Sequence, residues 1–211
     1  MYGLPKATEL NKQLGKERVF TKFKVNSAAQ QVFNADITTM FITNHVSQET
    51  VPALAHGKSI QGIYVLTLNM RHAGCNRKNL ELLAKAIPQN LIFALCFEGN
   101  VQFAVFYEKL YATTLMPVEG AKLELSGANL DEVWENLIKS IGGIVIEGDN
   151  TLEEQVEIDE ARVSLINKIN ALEAKAFKEK QPRRKKELID EVKKLKMQLA
   201  NIDKKNSILE G

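Results

Sequence analysis

Cysteine, long apolar runs and excess charge are all scarce in this sequence. Two cysteines among 211 residues are too few for the disulfide framework of a small secreted protein, so a reducing compartment is expected. No apolar run approaches the roughly 20 residues that cross a bilayer, and the N-terminus lacks the pattern of a signal peptide. The net charge of +2 does not by itself indicate nucleic-acid binding. These absences predict a soluble, cytoplasmic protein.

Signatures of catalysis and cofactor binding are missing as well. Gly142 and Gly143 are not followed by the Lys-Ser/Thr of a phosphate-binding loop, and no Gly-x-Ser-x-Gly is present. His72 and Cys75 form a His-x-x-Cys pair, but a zinc site needs about four nitrogen or sulfur ligands. We therefore predict no catalytic residue, no metal site and no cofactor.

The clearest strand pattern lies between residues 90 and 117. Residues 91–97 and 101–107 are rich in aromatic and branched side chains, and Gly99-Asn100 separates them, which indicates a tight β-hairpin. A third run, reaching Met116, extends the hairpin to an antiparallel meander. The first run is apolar on both faces, so we expect it at the centre of a sheet.

A second apolar run, residues 60–70, precedes this meander. Asn76 caps the helix that follows it, and Pro88 ends that helix. Strand, helix and strand at this spacing predict a βαβ crossover, with residues 60–70 parallel to residues 91–97.

Four other segments have recognisable patterns. We predict a short helix from Thr8 to Gly15, a strand over residues 36–46, a helix from Asn129 that covers the sheet, and a short edge strand over residues 144–146. Residues 19–25 fit either a strand or a helical turn.

The composition changes at residue 151. From there to the C-terminus, 26 of 61 residues are charged, a density that only exposed helices accommodate. The predicted architecture is thus an α+β domain over residues 1–150, with a mixed β-sheet covered by helices. A charged helical hairpin over residues 151–211 follows it, antiparallel and coiled-coil-like.

Apolar residues in the C-terminal segment recur at alternating spacings of three and four. The first helix has such a stripe, interrupted at Arg162, and the second carries an unbroken one, comprising Leu188, Val192, Leu195, Leu199 and Ile202. Pro182 lies between them and disfavours helix at Gln181, which favours two antiparallel helices over one long kinked helix. The stripes must contact each other, the globular domain or another chain.

The turn between these helices concentrates positive charge. Lys178, Lys180, Arg183, Arg184, Lys185 and Lys186 are diluted only by Glu179. Such a cluster is able to neutralise several phosphates, although a solvated turn without a partner is the alternative.

A metal-dependent nuclease is the enzymatic alternative for a mixed sheet covered by helices. Such enzymes hold a divalent metal with two carboxylates near neighbouring strands. Here Asp36 is one upstream acid, but the strand of residues 60–70 carries the neutral Asn69 where a carboxylate is needed.

Several short motifs resemble a bacterial family called domain of unknown function 4391. They are Leu4-Pro5-Lys6-Ala7-Thr8-Glu9-Leu10-Asn11-Lys12, Ala86-Ile87-Pro88, Leu130-Asp131 and Trp134-Glu135-Asn136, together with the charged C-terminal helices. The resemblance implies no established activity. Its members often lie beside DNA helicase and methyltransferase genes in restriction-like or phage-defence neighbourhoods, which implies an accessory subunit with a helicase or methyltransferase as a possible partner.

Three functional hypotheses follow. The leading one is a non-catalytic accessory subunit that docks a partner protein, or another copy of itself, through Leu188, Val192, Leu195 and Leu199. The second is a divergent metal-dependent nuclease. The third is a nucleic-acid-binding accessory protein whose contacts come from the hairpin tip, at Lys180, Arg183, Arg184, Lys185 and Lys186.

Overall fold

The computed structural model describes residues 1–207, in two compact units of which the first spans residues 1–143. Strands in the first unit are β1 (Glu9–Gln13), β2 (Ile37–Val46), β3 (Ile63–Met70), β4 (Asn90–Phe97), β5 (Asn100–Tyr107), β6 (Lys109–Ala112) and β7 (Met116–Pro117). Its α-helices are α1 (Lys16–Phe23), α2 (Ser27–Asp36), α3 (Arg77–Ala86) and α4 (Leu130–Gly142). The second unit begins at Ile144 and contains α5 (Leu152–Lys178) and α6 (Pro182–Ser207).

The strands of the first unit form one mixed sheet. Its order is β1-β2-β3-β4-β5-β6, and β7 pairs with β5 beyond the end of β6. β3 and β4 are parallel and are joined through α3, whereas the remaining pairs are antiparallel. This arrangement confirms the α+β fold class, with its βαβ unit and its antiparallel meander.

The hairpin between β4 and β5 turns on Glu98 and Gly99. Both residues have positive φ, 45° and 75°, and Phe97 pairs with Asn100 across the turn. Two central residues of positive φ define the type I′ turn, whose twist matches that of the flanking strands. The turn therefore lies one residue earlier than the Gly99-Asn100 pair that predicted it.

The core lies where β3 and β4 meet the helices. Leu66 and Phe93 are fully buried on these strands, and Leu80 and Leu83 on α3 are 1% and 0% exposed. Burying one such side chain stabilises the fold by about 1.5–3 kcal/mol. Asn76 caps α3 by accepting from the backbone N–H of Lys78 at 3.0 Å, as its position predicted.

Two predicted elements are wrong. Residues 8–15 do not form a helix, because a 3-10 turn over Lys6–Thr8 leads directly into β1, which pairs with β2. The Leu10 and Leu14 spacing fits a helix, but backbone pairing along the edge of β2 overrides that weak local pattern. Residues 144–146 have no regular structure, since Gly143 takes a left-handed conformation that ends α4.

The second unit is an antiparallel helical pair. Arg162 on α5 lies 2.9 Å from Asp203 on α6, and Glu173 on α5 lies 2.7 Å from Lys196 on α6. Later residues of α5 therefore contact earlier residues of α6, so the two helices run in opposite directions. A capping box at Thr151 and Glu154 begins α5, and Pro182 begins α6. Two antiparallel helices are confirmed, and the single kinked helix is excluded. Among residues 1–207, no helix is both long and apolar enough to cross a membrane.

Candidate functional site

Asp36, the acid considered for nuclease chemistry, is buried at the end of α2. Its Oδ2 accepts from the backbone N–H of Asn76 at 2.9 Å and from the amide of Asn79 at 2.6 Å. Its Oδ1 lies 3.1 Å from Nε2 of His72. The carboxylate thus anchors both the loop after β3 and the start of α3.

The surroundings of Asp36 favour this anchoring role. Asn69 on β3 donates its side-chain amide to the hydroxyl of Thr39 at 2.7 Å. In the part of the chain that the structure describes, no three His, Cys, Asp or Glu side chains are grouped to hold a metal ion. Asp36 is instead surrounded by hydrogen-bond donors from its own chain.

Cys75 belongs to the same cluster. Its Sγ lies 3.9 Å from Oδ2 of Asp36, and burial, reinforced by that carboxylate, raises the pKa of the Cys75 thiol to about 12. Because the thiolate is the nucleophile, a thiol of this pKa is unreactive at neutral pH. The geometry favours a structural role for the His72 and Cys75 pair.

The apolar stripe of α6 lies on the side that packs against α5. Val192 is 7% exposed, and Leu188, Leu195 and Leu199 are half-buried. On α5, Ile169 is buried by the same contact. These residues hold the two helices together, and the prediction that they also contact a partner rests on their half-exposed edges.

Arg162 interrupts the stripe on α5 and forms a charged cluster there. Its two terminal nitrogens donate to the two carboxylate oxygens of Glu147 at 2.8 Å each, and its Nε donates to Asp203 at 2.9 Å. Bidentate pairing of this kind is strong and directional. Through Glu147, the segment before α5 is tied to that helix.

A further apolar patch on α5 was not recognised from the sequence. Val163 and Ile166 are 56% and 43% exposed, one helical turn apart on a face beside the stripe. Their spacing of three residues is present in the sequence, but the longer stripe of Ile158, Leu165, Ile169, Leu172 and Ala176 dominates the apolar pattern of that helix. We call Val163 and Ile166 the outer patch.

The basic cluster lies where the helices meet the turn. All six cations from Lys178 to Lys186 are exposed. Lys175, Lys178, Lys180 and Arg184 line an open groove of about 830 Å³, together with Gln181, Leu188 and the carboxylates of Glu179, Glu187 and Glu191. Cations and anions both border this groove, whereas the turn itself is strongly positive.

The sequence and this architecture can be compared with known proteins. Residues 2–199 match the family described as domain of unknown function (DUF4391). The chain belongs to the DUF4391 family. No curated protein and no solved structure gives a significant match.

The N-terminal motif of this DUF4391 protein supports the buried face of its sheet. Thr8 is 1% exposed, and its hydroxyl donates to the carbonyl of Pro5 at 2.7 Å. That hydroxyl in turn accepts from the side-chain amide of Asn44, which is fully buried on β2, at 2.8 Å. A buried amide without a hydrogen-bond partner is costly. The Thr8 hydroxyl supplies that partner for the side-chain NH2 group of Asn44.

The Leu130-Asp131 motif places Asp131 in the first turn of α4. Its carboxylate accepts from three consecutive backbone N–H groups, those of Lys58 at 2.6 Å, Ser59 at 3.1 Å and Ile60 at 2.8 Å. These bonds, that from Ile60 foremost, hold the pKa of Asp131 below its ordinary value. Asp131 therefore fastens the loop between β2 and β3 to α4.

Proposed function

We propose that this protein is a non-catalytic accessory subunit whose α5–α6 hairpin is a docking arm for another protein. The outer patch carries the proposal. Val163 and Ile166 present apolar surface on a helix that is already paired on its neighbouring face. An amphipathic helix of a partner, laid along α5, would remove that surface from water and add a third helix to the pair.

The internal construction of the arm supports this role. The α5–α6 pair has its own apolar contact around Val192 and Ile169, and its own charged cluster around Arg162. A pair fixed in this way presents the outer patch on a rigid surface, which reduces the entropy lost on binding. Leu188, Leu195 and Leu199 would contribute their half-exposed edges to the same partner.

The partner class is proposed from the gene neighbourhoods that the family resemblance implies. A helicase or a methyltransferase of a restriction-like or phage-defence system is the partner we propose, with a second copy of this chain as the alternative. Neither role requires a reactive group on this protein, and the cluster at Asp36 is organised for stability.

The test compares full-length variants that add the same charge at different faces of α5. Val163→Glu/Ile166→Glu places two carboxylates in the outer patch, whereas Ser164→Glu/Asn167→Glu places two at exposed polar positions of the same helix. We expect the wild type and the polar-face variant to form the same complex with the partner, or the same oligomer. The outer-patch variant should remain a monomer by light scattering and should lose the partner on purification.

Equal assembly by both variants would contradict the proposal. Leu195→Glu is a weaker test, because Leu195 also lies in the contact between α5 and α6, and we expect its replacement to open the hairpin. Far-ultraviolet circular dichroism of each variant separates loss of the arm from loss of docking.

A further inference from the structure

Positive charge is concentrated at the junction of α5 and α6 more than elsewhere in the hairpin. We define the basic tip as Lys178, Lys180, Arg183, Arg184, Lys185 and Lys186, all exposed. Glu179 is the only carboxylate within residues 178–186. Arg183 lies 3.4 Å from Glu187, but side-chain exposures of 94% and 64% make that pair a weak one. The charge of the tip is therefore available to a ligand.

The position of these cations opposes the stability of α6. Arg183, Arg184 and Lys185 follow Pro182 in the first turn of α6, which contains no acidic residue. The N-terminus of a helix carries partial positive charge, so each cation there lowers the stability of the helix. The exposed Arg183–Glu187 pair compensates little for this effect, and a local arrangement that lowers stability is characteristic of functional surfaces.

An exposed aromatic ring accompanies the charge. Phe177 lies in the last turn of α5, beside Lys178, and is 86% exposed, more than Val145 at 75% or Met197 at 68%. Leaving such a ring in water forgoes the stabilisation that burial of its apolar surface would give. Phe177 and the cations of the basic tip together form a surface with a stacking platform beside phosphate-binding groups.

We propose that the basic tip binds single-stranded nucleic acid, with its cations on the phosphates and Phe177 stacked on an unpaired base. Stacking on an aromatic ring requires a base that is free of its duplex, which favours a single strand over a double helix. An anionic membrane would also attract the cations, but a single exposed ring offers little apolar surface for insertion.

This binding is independent of protein docking at the outer patch. Val163 and Phe177 are 14 residues apart on α5, which corresponds to about 21 Å along a helix. The Val163→Glu/Ile166→Glu variant should therefore bind nucleic acid much as the wild type does. Failure of one proposal leaves the other standing.

The experiment is fluorescence anisotropy of labelled oligo(dT) and oligo(U), titrated with full-length protein over a series of salt concentrations. We expect binding at low salt that weakens with a log–log slope of about −3 to −4, as for four to six phosphate contacts on a single strand. Arg183→Gln/Arg184→Gln/Lys185→Gln/Lys186→Gln should reduce the magnitude of that slope by about 3 and abolish binding at physiological salt.

Two further variants test the geometry. Phe177→Ala should weaken binding by about 5- to 100-fold without changing the salt slope, whereas Phe177→Tyr should retain the wild-type affinity. Lys193→Gln/Lys194→Gln removes exposed charge from the middle of α6 and serves as the matched control. We expect that control to change affinity by less than about threefold, since it leaves the tip intact.

Four results would overturn the proposal. They are no binding at low salt, an equal loss of affinity in the Lys193→Gln/Lys194→Gln control, indifference to Phe177→Ala, and tighter binding to duplex or to phosphatidylserine vesicles than to single strands. Circular dichroism of each variant verifies that α5 and α6 remain helical.

Discussion

Replacing Arg162 by methionine tests what holds the second unit together. Methionine keeps an unbranched apolar stem of similar length but removes the guanidinium. That group makes a bidentate pair with Glu147 and donates to Asp203, and the Arg162 side chain is only 19% exposed. The Glu147 carboxylate holds the pKa of Arg162 above its usual value, so the cation is permanent.

The expected cost follows from the carboxylates left behind. Removing one partner of a fully buried ion pair costs about 3–5 kcal/mol. Asp203 and Glu147 are partly exposed, with side-chain exposures of 56% and 34%, and water screens their repulsion. Methionine also extends the apolar stripe of α5. We therefore expect Arg162→Met to lower the free energy of unfolding by about 2 kcal/mol.

The assay is urea denaturation followed by two signals. α5 and α6 contribute 27 and 26 helical residues, whereas α1, α2, α3 and α4 contribute 8, 10, 10 and 13, so far-ultraviolet circular dichroism reports on both units with the larger share from the second. Trp134, the single tryptophan, lies on α4 and reports on the first unit by fluorescence. The dichroism midpoint should fall in Arg162→Met while the fluorescence midpoint stays constant.

Arg183→Met is the matched control, because the same chemical change occurs at a side chain that is 94% exposed. We expect its effect to be below about 0.5 kcal/mol. In a double-mutant cycle, Glu147→Gln combined with Arg162→Met should reveal a coupling of about 1–3 kcal/mol. Equal midpoints for Arg162→Met and Arg183→Met, or strict additivity in the cycle, would refute the reasoning.

Three further predictions concern the first unit. Asp131→Asn should lower the melting temperature at neutral pH. Because the pKa of Asp131 is depressed in the folded state, the ionised carboxylate stabilises the fold above about pH 4, and this stabilisation is lost on acidification. Asp131→Asn should therefore lose less stability than the wild type between neutral pH and about pH 3. Asp36→Ala should lower the free energy of unfolding, measured by urea denaturation, by about 2–4 kcal/mol, because it leaves the buried Asn79 amide unpaired. A magnesium-dependent nuclease activity of the wild type that Asp36→Ala abolishes would contradict the anchoring role. Cys75 should resist alkylation by iodoacetamide at neutral pH, and mass spectrometry should detect faster modification in Asp36→Asn.

The elements that were predicted correctly depend on signals within one strand or one helical turn. The caps at Asn76 and Asn129 and the proline at 182 act on backbone groups close to them in sequence. The hairpin between β4 and β5 was predicted correctly for the same reason, because its two strands are adjacent in sequence. β1 was mistaken for a helix because its strand conformation depends on pairing with β2, more than 25 residues later in the sequence.

The candidate sites depended more on the tertiary structure. The basic tip was found from the sequence because its cations are contiguous, but the exposure of Phe177 beside them was not predictable from an alternating helical pattern. In the sequence Arg162 only interrupts the apolar stripe of α5. The structure shows that its guanidinium donates to Glu147 and Asp203.

The α+β class, the βαβ crossover, the meander and the two antiparallel C-terminal helices were predicted from the order of residues, because periodicity and capping chemistry are local. The roles of two carboxylates became evident only in the folded chain, where Asp36 fastens a loop 40 residues away and Asp131 binds backbone N–H groups more than 70 residues earlier. A carboxylate acquires its role from the donors that surround it. Here the sheet and its covering helices bring those donors from distant parts of the chain.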